Sequence, residues 1–363
     1  MNPNAVKTLQ HYLRQSEDWD ETSAALVFSE HNRLYLTGFP ATDGAMLVTG
    51  EEAALFMDFR YAEAARRVVT VCPVVDFAVI DDAVISWMQE RGIQKLHTET
   101  DSLTLDEFAH YNQIMHRIGG EAVPDKLLDD CLRECRIIKS EEEIASMEKA
   151  QRITEEAFDY ACTLIRPGMT ERELAIDIEF FMRRRGAEKV SFDLIVVSGA
   201  NGSLCHGVPS DKPIEAGDFV TMDTGCVVDG YMSDMTRTVA VGHVSEEQRR
   251  VYETVLAAQK AAIAAVKDGV ACSLVDKAAR DIIEKDYPGT FGHSTGHGVG
   301  VQIHEYPRFS KTDGTIARAG MVITVEPGIY LAGKYGVRIE DMVLVTKDGC
   351  RDLTRSPKEL MIL

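Results

Sequence analysis

The stretch FVTMDTGCVVDGYMSDMTRTVAV, residues 219–241, holds two aspartates whose spacing could do chemistry. Between them lies Asp229-Gly230, the strongest short signal for a two-residue hairpin, because both turn positions tolerate positive φ. With the turn there, position 234 falls opposite 225, and Asp223 lies two residues further along the same strand. Cross-strand partners share a face, as do residues two apart, so Asp223 and Asp234 project together as diagonal neighbours. Val220, Met222, Met235 and Val239 mark the hairpin as largely buried. Carboxylates held that close repel unless something positive lies between them. One or two divalent cations would resolve the conflict; the plainer alternative is a surface hairpin with its aspartates in water.

Two more acids stand in apolar strands. VITVEPGIY (322–330) carries Glu326, and GVRIEDMVLV (336–345) carries Glu340. An ionised carboxylate in such a setting is costly unless paired or bound to metal. Arg338 shares a face with Glu340 by the period of two, so an ion pair is the simple alternative there. HSTGHGVGVQIHE (293–305) then adds His293, His297 and His304, three of the chain's 10 histidines. Two aspartates, two glutamates and one histidine would supply four negative charges, matching two divalent ions. Such an oxygen-rich set with one imidazole suits Mn²⁺, Co²⁺ or Fe²⁺, with Zn²⁺ also compatible. Paired ions can generate hydroxide and polarise a carbonyl at once, which is hydrolytic chemistry. Gly296, Gly298 and Gly300 do not form the G-x-G-x-x-G fingerprint, and no helix pattern follows them. HExxH is absent, and no G-x-S-x-G elbow supports a Ser-His-Asp triad.

The elements that must position these residues fall into two parts. At 363 residues the chain favours two domains. The first part reads as a compact α/β unit, with strand-like runs at 24–28, 45–49 and 53–57 and helical stretches at 61–69 and 81–92. A boundary is expected near 130–138, where LRECRIIKSEEE turns strongly charged. Ser140 with Glu143, and Thr170 with Glu173, carry the capping-box signature and open two helices. Residues 189–242 alternate in β fashion, a third helix spans roughly 245–267, and 291–347 is again strand-rich. Helices segregated from hairpins point to an α+β second half.

Composition removes several function classes. A formal charge of −19 argues against general affinity for nucleic acid or anionic membranes. The polar opening MNPNAVKTLQHYLRQ has no signal-peptide character, and no stretch is apolar enough to span a membrane. The 8 cysteines are scattered without a CxxC pair, which fits a reducing cytoplasm.

Taken in order, these motifs resemble the creatinase/aminopeptidase P/prolidase family of pita-bread metallopeptidases, which also includes methionine aminopeptidase. The resemblance runs through YLTGFPATDGAMLV and MDFRYAEAA in the first half. In the second it covers IIKSEEEI, IRPGMTERELA, SGANGSLCHGVPSD, MDTGCVVDGYMSDMTRT, HSTGHGVGVQIHE, ITVEPGIY and GVRIED. It implies an α+β two-domain protein: a small N-terminal α/β domain of creatinase type over 1–134, then a pita-bread catalytic domain over 135–363. By the same resemblance Asp223, Asp234, His297, Glu326 and Glu340 are the ligands of two divalent ions, Mn²⁺ or Co²⁺ before Zn²⁺ or Fe²⁺, with Asp234 and Glu340 bridging. His304 and Glu326 are implied to be catalytic, with His206 beside them; His293, Arg338 and Tyr330 are implied to line the substrate pocket. The implied activity is hydrolysis of the Xaa-Pro bond in short peptides, as a dipeptidase or an aminopeptidase, by a cytoplasmic homodimer. The first domain favours Xaa-Pro peptidases over methionine aminopeptidase, which resembles the second half alone. Another amide or amidine hydrolase on this fold, or a peptide-binding member without turnover, are the alternatives.

Overall fold

The computed structural model describes residues 3–363. By its internal contacts the chain divides into two compact units, Met1–Arg136 and Ile137–Leu363, the division falling at the end of a helix, Leu127–Ile137.

The first unit is built on a six-stranded mixed sheet. In spatial order its strands are Val74–Phe77, Ala53–Asp58, Ala45–Val48, Ser23–Val27, Lys95–Thr98 and Glu121–Val123. The three strand-like runs read from the sequence form its middle, paired antiparallel, and parallel strands flank them. Ser23–Val27 is buried at every position, as a central strand covered on both faces must be. Leu26, Leu47, Phe56 and Leu96 meet Trp87, Met88, Ile114 and Met115 in one core. Phe59–Val68 and Ile80–Glu90 are the helices expected at 61–69 and 81–92.

The second unit uses one plan twice: two helices, then antiparallel ribbons. Glu141–Leu164 and Glu171–Arg184 pack against the sheet formed by Ile195–Ser198, Phe219–Thr224 and Met235–Ala240. Glu246–Ala265 and Cys272–Asp286 pack against the sheet containing Val322–Val325 and Asp341–Val345. Both expected capping boxes form: the Ser140 and Thr170 hydroxyls accept from the amides of Glu143 and Glu173, whose carboxylates reach back. The helix Cys272–Asp286 has no such signal; Ala271 at its N-cap offers no side-chain acceptor, and its buried face mixes Cys272, Val275, Ala279 and Ile283 with the charged Asp276 and Arg280.

Both ribbons open where the acids stand. Asp229 (φ 51°) and Gly230 (φ 79°) make the expected hairpin turn. Val227 pairs with Met232 on one side of a break and Asp223 with Thr236 on the other, in one continuous register but in two different sheets. The break is at Gly225 and Asp234. A Cβ on Gly225 would lie 2.1 Å from the Ser233 carbonyl oxygen, so only glycine fits there. The second ribbon repeats the device: Val325 pairs with Asp341 and Gly328 with Arg338, and Glu326 and Glu340 face each other at the gap. Freed from pairing, the Glu326 amide donates to the Thr295 carbonyl at 2.8 Å and the Glu340 amide to that of Thr236 at 3.1 Å.

Candidate metal centre

The acids converge in the second unit. Oxygen atoms of Asp234 and Glu340 and a ring nitrogen of His297 lie within 4.8 Å of one another, all three residues buried. His297 Nε2 is 3.6 Å from Asp234 Oδ2 and 3.3 Å from Glu326 Oε1. Asp223 is brought in by Arg338, whose Nη2 donates to Asp223 Oδ2 at 2.6 Å.

His297 sits on the short strand Gly296–Gly298, and its glycine neighbours are dictated by packing. A Cβ on Gly296 would lie 1.9 Å from the Thr324 carbonyl oxygen, and one on Gly298 2.1 Å from that of Tyr306. The alternating glycines therefore let this strand nest between two others. His297 Nδ1 lies 3.0 Å from the Gly298 carbonyl oxygen, which can only accept, so Nδ1 carries the proton and Nε2 presents its lone pair to the acids. Burial holds this imidazole neutral, bringing its pKa down to about 4.

The carboxylates are in the opposite predicament. Burial, reinforced by the mutual repulsion of the acids, pushes Asp234 and Glu340 well above the usual carboxylate range and Glu326 up to about 8. Burial also works against the Arg338 charge, but Tyr330, Asp223, Glu326 and Glu340 more than overcome it. One guanidinium cannot neutralise four acids. Glu340 Oε2 accepts from the Thr236 hydroxyl at 2.7 Å, yet buried Glu340 Oε1 and Asp223 Oδ1 have no hydrogen-bond partner among the described residues. Each of these two carboxylates thus turns one oxygen to the protein and leaves the other bare, the arrangement a cation would complete. The donor set of four carboxylates and one neutral imidazole fits divalent metal.

Around this centre runs a chain of hydrogen bonds. Arg338 Nη1 donates to the Tyr330 hydroxyl at 2.9 Å, and His293 Nε2 lies 2.9 Å from the same hydroxyl. His293 Nδ1 faces the Ser294 carbonyl at 2.8 Å, so Nε2 accepts from Tyr330. Burial lowers the His293 pKa to about 4 and raises that of Tyr330 to about 12. His304 is exposed, its ring centroid 4.6 Å from that of His297 and nearly perpendicular to it. Burial of part of the ring and the nearby Arg308 charge lower its pKa. His206 is also exposed; the preceding residue, Cys205, offers its carbonyl to Arg338 Nη1 at 3.2 Å.

Sequence reasoning missed the supports. Thr236 accepts from Arg338 Nε at 3.1 Å while donating to Glu340, which couples the arginine to that acid. Thr324 accepts from the His297 amide and donates to Glu326 Oε1, both at 3.1 Å. In the helix Cys272–Asp286, Asp276 and Arg280 form a buried ion pair. Arg280 donates to the carbonyls of Phe291 and His293, and Asp276 accepts from the Thr295 amide and hydroxyl. The threonines carried one signal, two-residue spacing from a suspected ligand on the same strand; the helical pair carried none.

Comparison with known proteins agrees with this architecture. Residues 145–347 match metallopeptidase family M24, and residues 6–138 match the creatinase/prolidase N-terminal domain. An Xaa-Pro dipeptidase of Pyrococcus horikoshii is 40% identical over 363 residues, with 99% of each chain covered. Among solved structures, an Xaa-Pro dipeptidase from Bacillus anthracis superposes with a TM-score of 0.93 at 40% identity over 100% of both chains. An X-Pro aminopeptidase from Thermotoga maritima gives 0.87 at 34% identity, covering 94% of this chain and 97% of that one. The two-domain α+β expectation is met, and the chain belongs to metallopeptidase family M24, its pita-bread domain preceded by a creatinase-type N-terminal domain.

Proposed function

We propose that this chain hydrolyses the Xaa-Pro bond of short peptides, using two divalent cations held by Asp223, Asp234, His297, Glu326 and Glu340. The observation that carries the reading is the site itself: Asp234, Glu340 and a neutral His297 are buried within 4.8 Å of one another, Glu326 lies 3.3 Å from His297, Arg338 holds Asp223, and two carboxylate oxygens are left bare. Similarity to an Xaa-Pro dipeptidase and an X-Pro aminopeptidase supplies the proline preference. Oxygen-rich ligation favours Mn²⁺ or Co²⁺ over Zn²⁺ or Fe²⁺. A cytoplasmic homodimer completes the reading; cysteines that are all free support the compartment, and family resemblance supports the dimer. Among the described residues no helix is long and apolar enough to cross a membrane.

Bound in pairs, such ions supply a strong nucleophile from water near neutral pH and an electrophile for the scissile carbonyl. The chain's own groups do the rest. The Glu326 carboxylate takes up the proton released as the carbonyl is attacked and delivers it to the leaving proline nitrogen. His304, on the exposed side of His297, donates to the carbonyl oxygen as negative charge develops there. Arg338 orients Asp223 directly and Glu340 through Thr236; Tyr330 and His293 hold the adjoining wall, and the exposed His206 stands within electrostatic reach of His293 and His304.

His304→Ala is expected to retain full metal content and lose about 10²- to 10³-fold in kcat, as removal of one oxyanion donor does. Unchanged turnover would remove His304 from the mechanism. Thr236→Val keeps the side-chain shape but loses the link between Arg338 and Glu340. Its metal affinity is expected to fall about 10- to 100-fold, measured by competition with a fluorescent chelator. The activity itself is tested by mass spectrometry after incubating Mn²⁺-loaded protein with Ala-Pro and Ala-Pro-Ala-Ala together. Cleavage of the dipeptide alone means a dipeptidase, and alanine released from the longer peptide means an aminopeptidase. If neither is cut, the proline assignment falls.

A further inference from the structure

The residue after His304 points the other way. Along Glu305–Phe309 burial alternates, with Glu305, Pro307 and Phe309 inside and Tyr306 and Arg308 outside, and His304 is exposed. Extended chain sends successive side chains to opposite faces. Glu305 therefore enters the interior, where its side chain, 4% exposed, meets that of Lys139, 1% exposed, at 3.0 Å between Oε2 and Nζ. Its other oxygen, Oε1, accepts from the Gln302 amide at 3.1 Å. Gly300 lies so close behind that a Cβ there would be 2.7 Å from both carboxylate oxygens.

The loop is held on every side. The Gly300 amide donates to the Gln302 carbonyl at 3.0 Å, and the Met232 amide donates to the Gly300 carbonyl at 2.9 Å. Lys139 is itself fixed, its amide donating to the Gly320 carbonyl at 2.9 Å, and the next residue, Ser140, caps the helix Glu141–Leu164. Residues 300–305 thus form a tight turn closed from inside by one carboxylate and tied to a helix start by one ammonium. His304 rides on the outer side of this turn, beside His297.

We infer that the Lys139–Glu305 ion pair is a positioning device for His304. Neither member belongs to the proposed metal ligands or pocket residues. A buried ion pair is a poor source of stability, since well-packed apolar residues of the same size do as well or better. What it adds is direction: each Glu305 oxygen has its own partner, so the turn has one register and His304 one place. The inference rests on the reading of His304 as the donor to the developing oxyanion.

The test is a double-mutant cycle in the full-length, Mn²⁺-loaded protein with Ala-Pro as substrate. Lys139→Met is expected to lower kcat about 10- to 100-fold, the usual loss when an outer partner of a site residue is removed, with KM and metal stoichiometry unchanged. Lys139→Arg, which keeps the charge, should recover most of the rate. In a His304→Ala background the same Lys139→Met change should alter kcat by less than about twofold, because the group through which it acts is gone. Wild-type kcat in Lys139→Met, or a full additional loss in the His304→Ala background, overturns the inference. Should Lys139→Met fail to fold, Glu305→Gln, uncharged and of the same shape, takes its place in the cycle with the same two outcomes. If the wild type does not cleave Ala-Pro, the catalytic reading fails by itself. The anchor is then judged by the His304 ring signals in NMR spectra of Zn²⁺-loaded protein: displaced or broadened signals in the Lys139 variant support it, and unchanged signals overturn it.

Discussion

Replacing Glu340 with glutamine is expected to lower kcat/KM on Ala-Pro by about 10³-fold or more, since loss of metal charge from a hydrolytic site removes several kcal/mol of transition-state stabilisation. The same change should make the metal-free protein more stable. Glu340 is buried with one bare oxygen, facing Glu326 across the ribbon and within ligand distance of Asp234. Glutamine keeps the volume and the acceptor for the Thr236 hydroxyl and is neutral folded or unfolded, so folding no longer has to place a proton on a carboxyl that the unfolded chain ionises at pH 8. Activity and metal-free stability should therefore move in opposite directions, read by hydrolysis assays and by thermal melts in chelator at pH 8. A variant that lost both would make Glu340 a structural residue.

The second large effect is an inverted pH dependence of stability in the metal-free protein. Glu326 has an ordinary carboxylate pKa when unfolded and one pushed up to about 8 when folded, and Asp234 and Glu340 shift the same way. The folded chain thus holds protons that the unfolded chain releases, so these groups favour folding at low pH and lose that contribution as pH rises through the folded values. His293 and His297, neutral when folded, act oppositely below about pH 6.5, where unfolded imidazole takes up protons. Above that the histidine contribution fades within about one pH unit and the carboxylates dominate. Each retained proton is worth about 1.4 kcal/mol per pH unit, or about 2 kcal/mol between pH 6.5 and 8. The metal-free protein should melt several degrees lower at pH 8 than at pH 6.5. Saturating Mn²⁺ should abolish or reverse the trend, because the cations replace the protons. Parallel melting curves with and without metal would contradict the charge arrangement.

The outcome also shows which parts of such a site a sequence makes legible. Asp223 and Asp234 could be placed on one face because Asp229-Gly230 sets the register locally and side chains alternate with period two. The opposition of Glu326 and Glu340 was not legible. Their ribbon turns around Leu331–Tyr335 without a two-residue signal, and its register follows from pairing on either side of a gap. The helix Cys272–Asp286 escaped because nothing caps it, and with it the Asp276–Arg280 clamp on the His293 loop. Contacts between residues distant in sequence, such as Lys139 with Glu305, leave no periodic trace. The glycines of the histidine-rich stretch were visible, but their reason, close passage of neighbouring carbonyls, belongs to tertiary structure.

The most direct test of the account is stepwise addition of Mn²⁺ to metal-stripped protein, following bound metal and Ala-Pro hydrolysis together. Hydrolysis should be absent without metal, binding should saturate at two tight ions per chain, and activity should be full at that point. Hydrolysis by the stripped protein, or none once two ions are bound, would contradict the account.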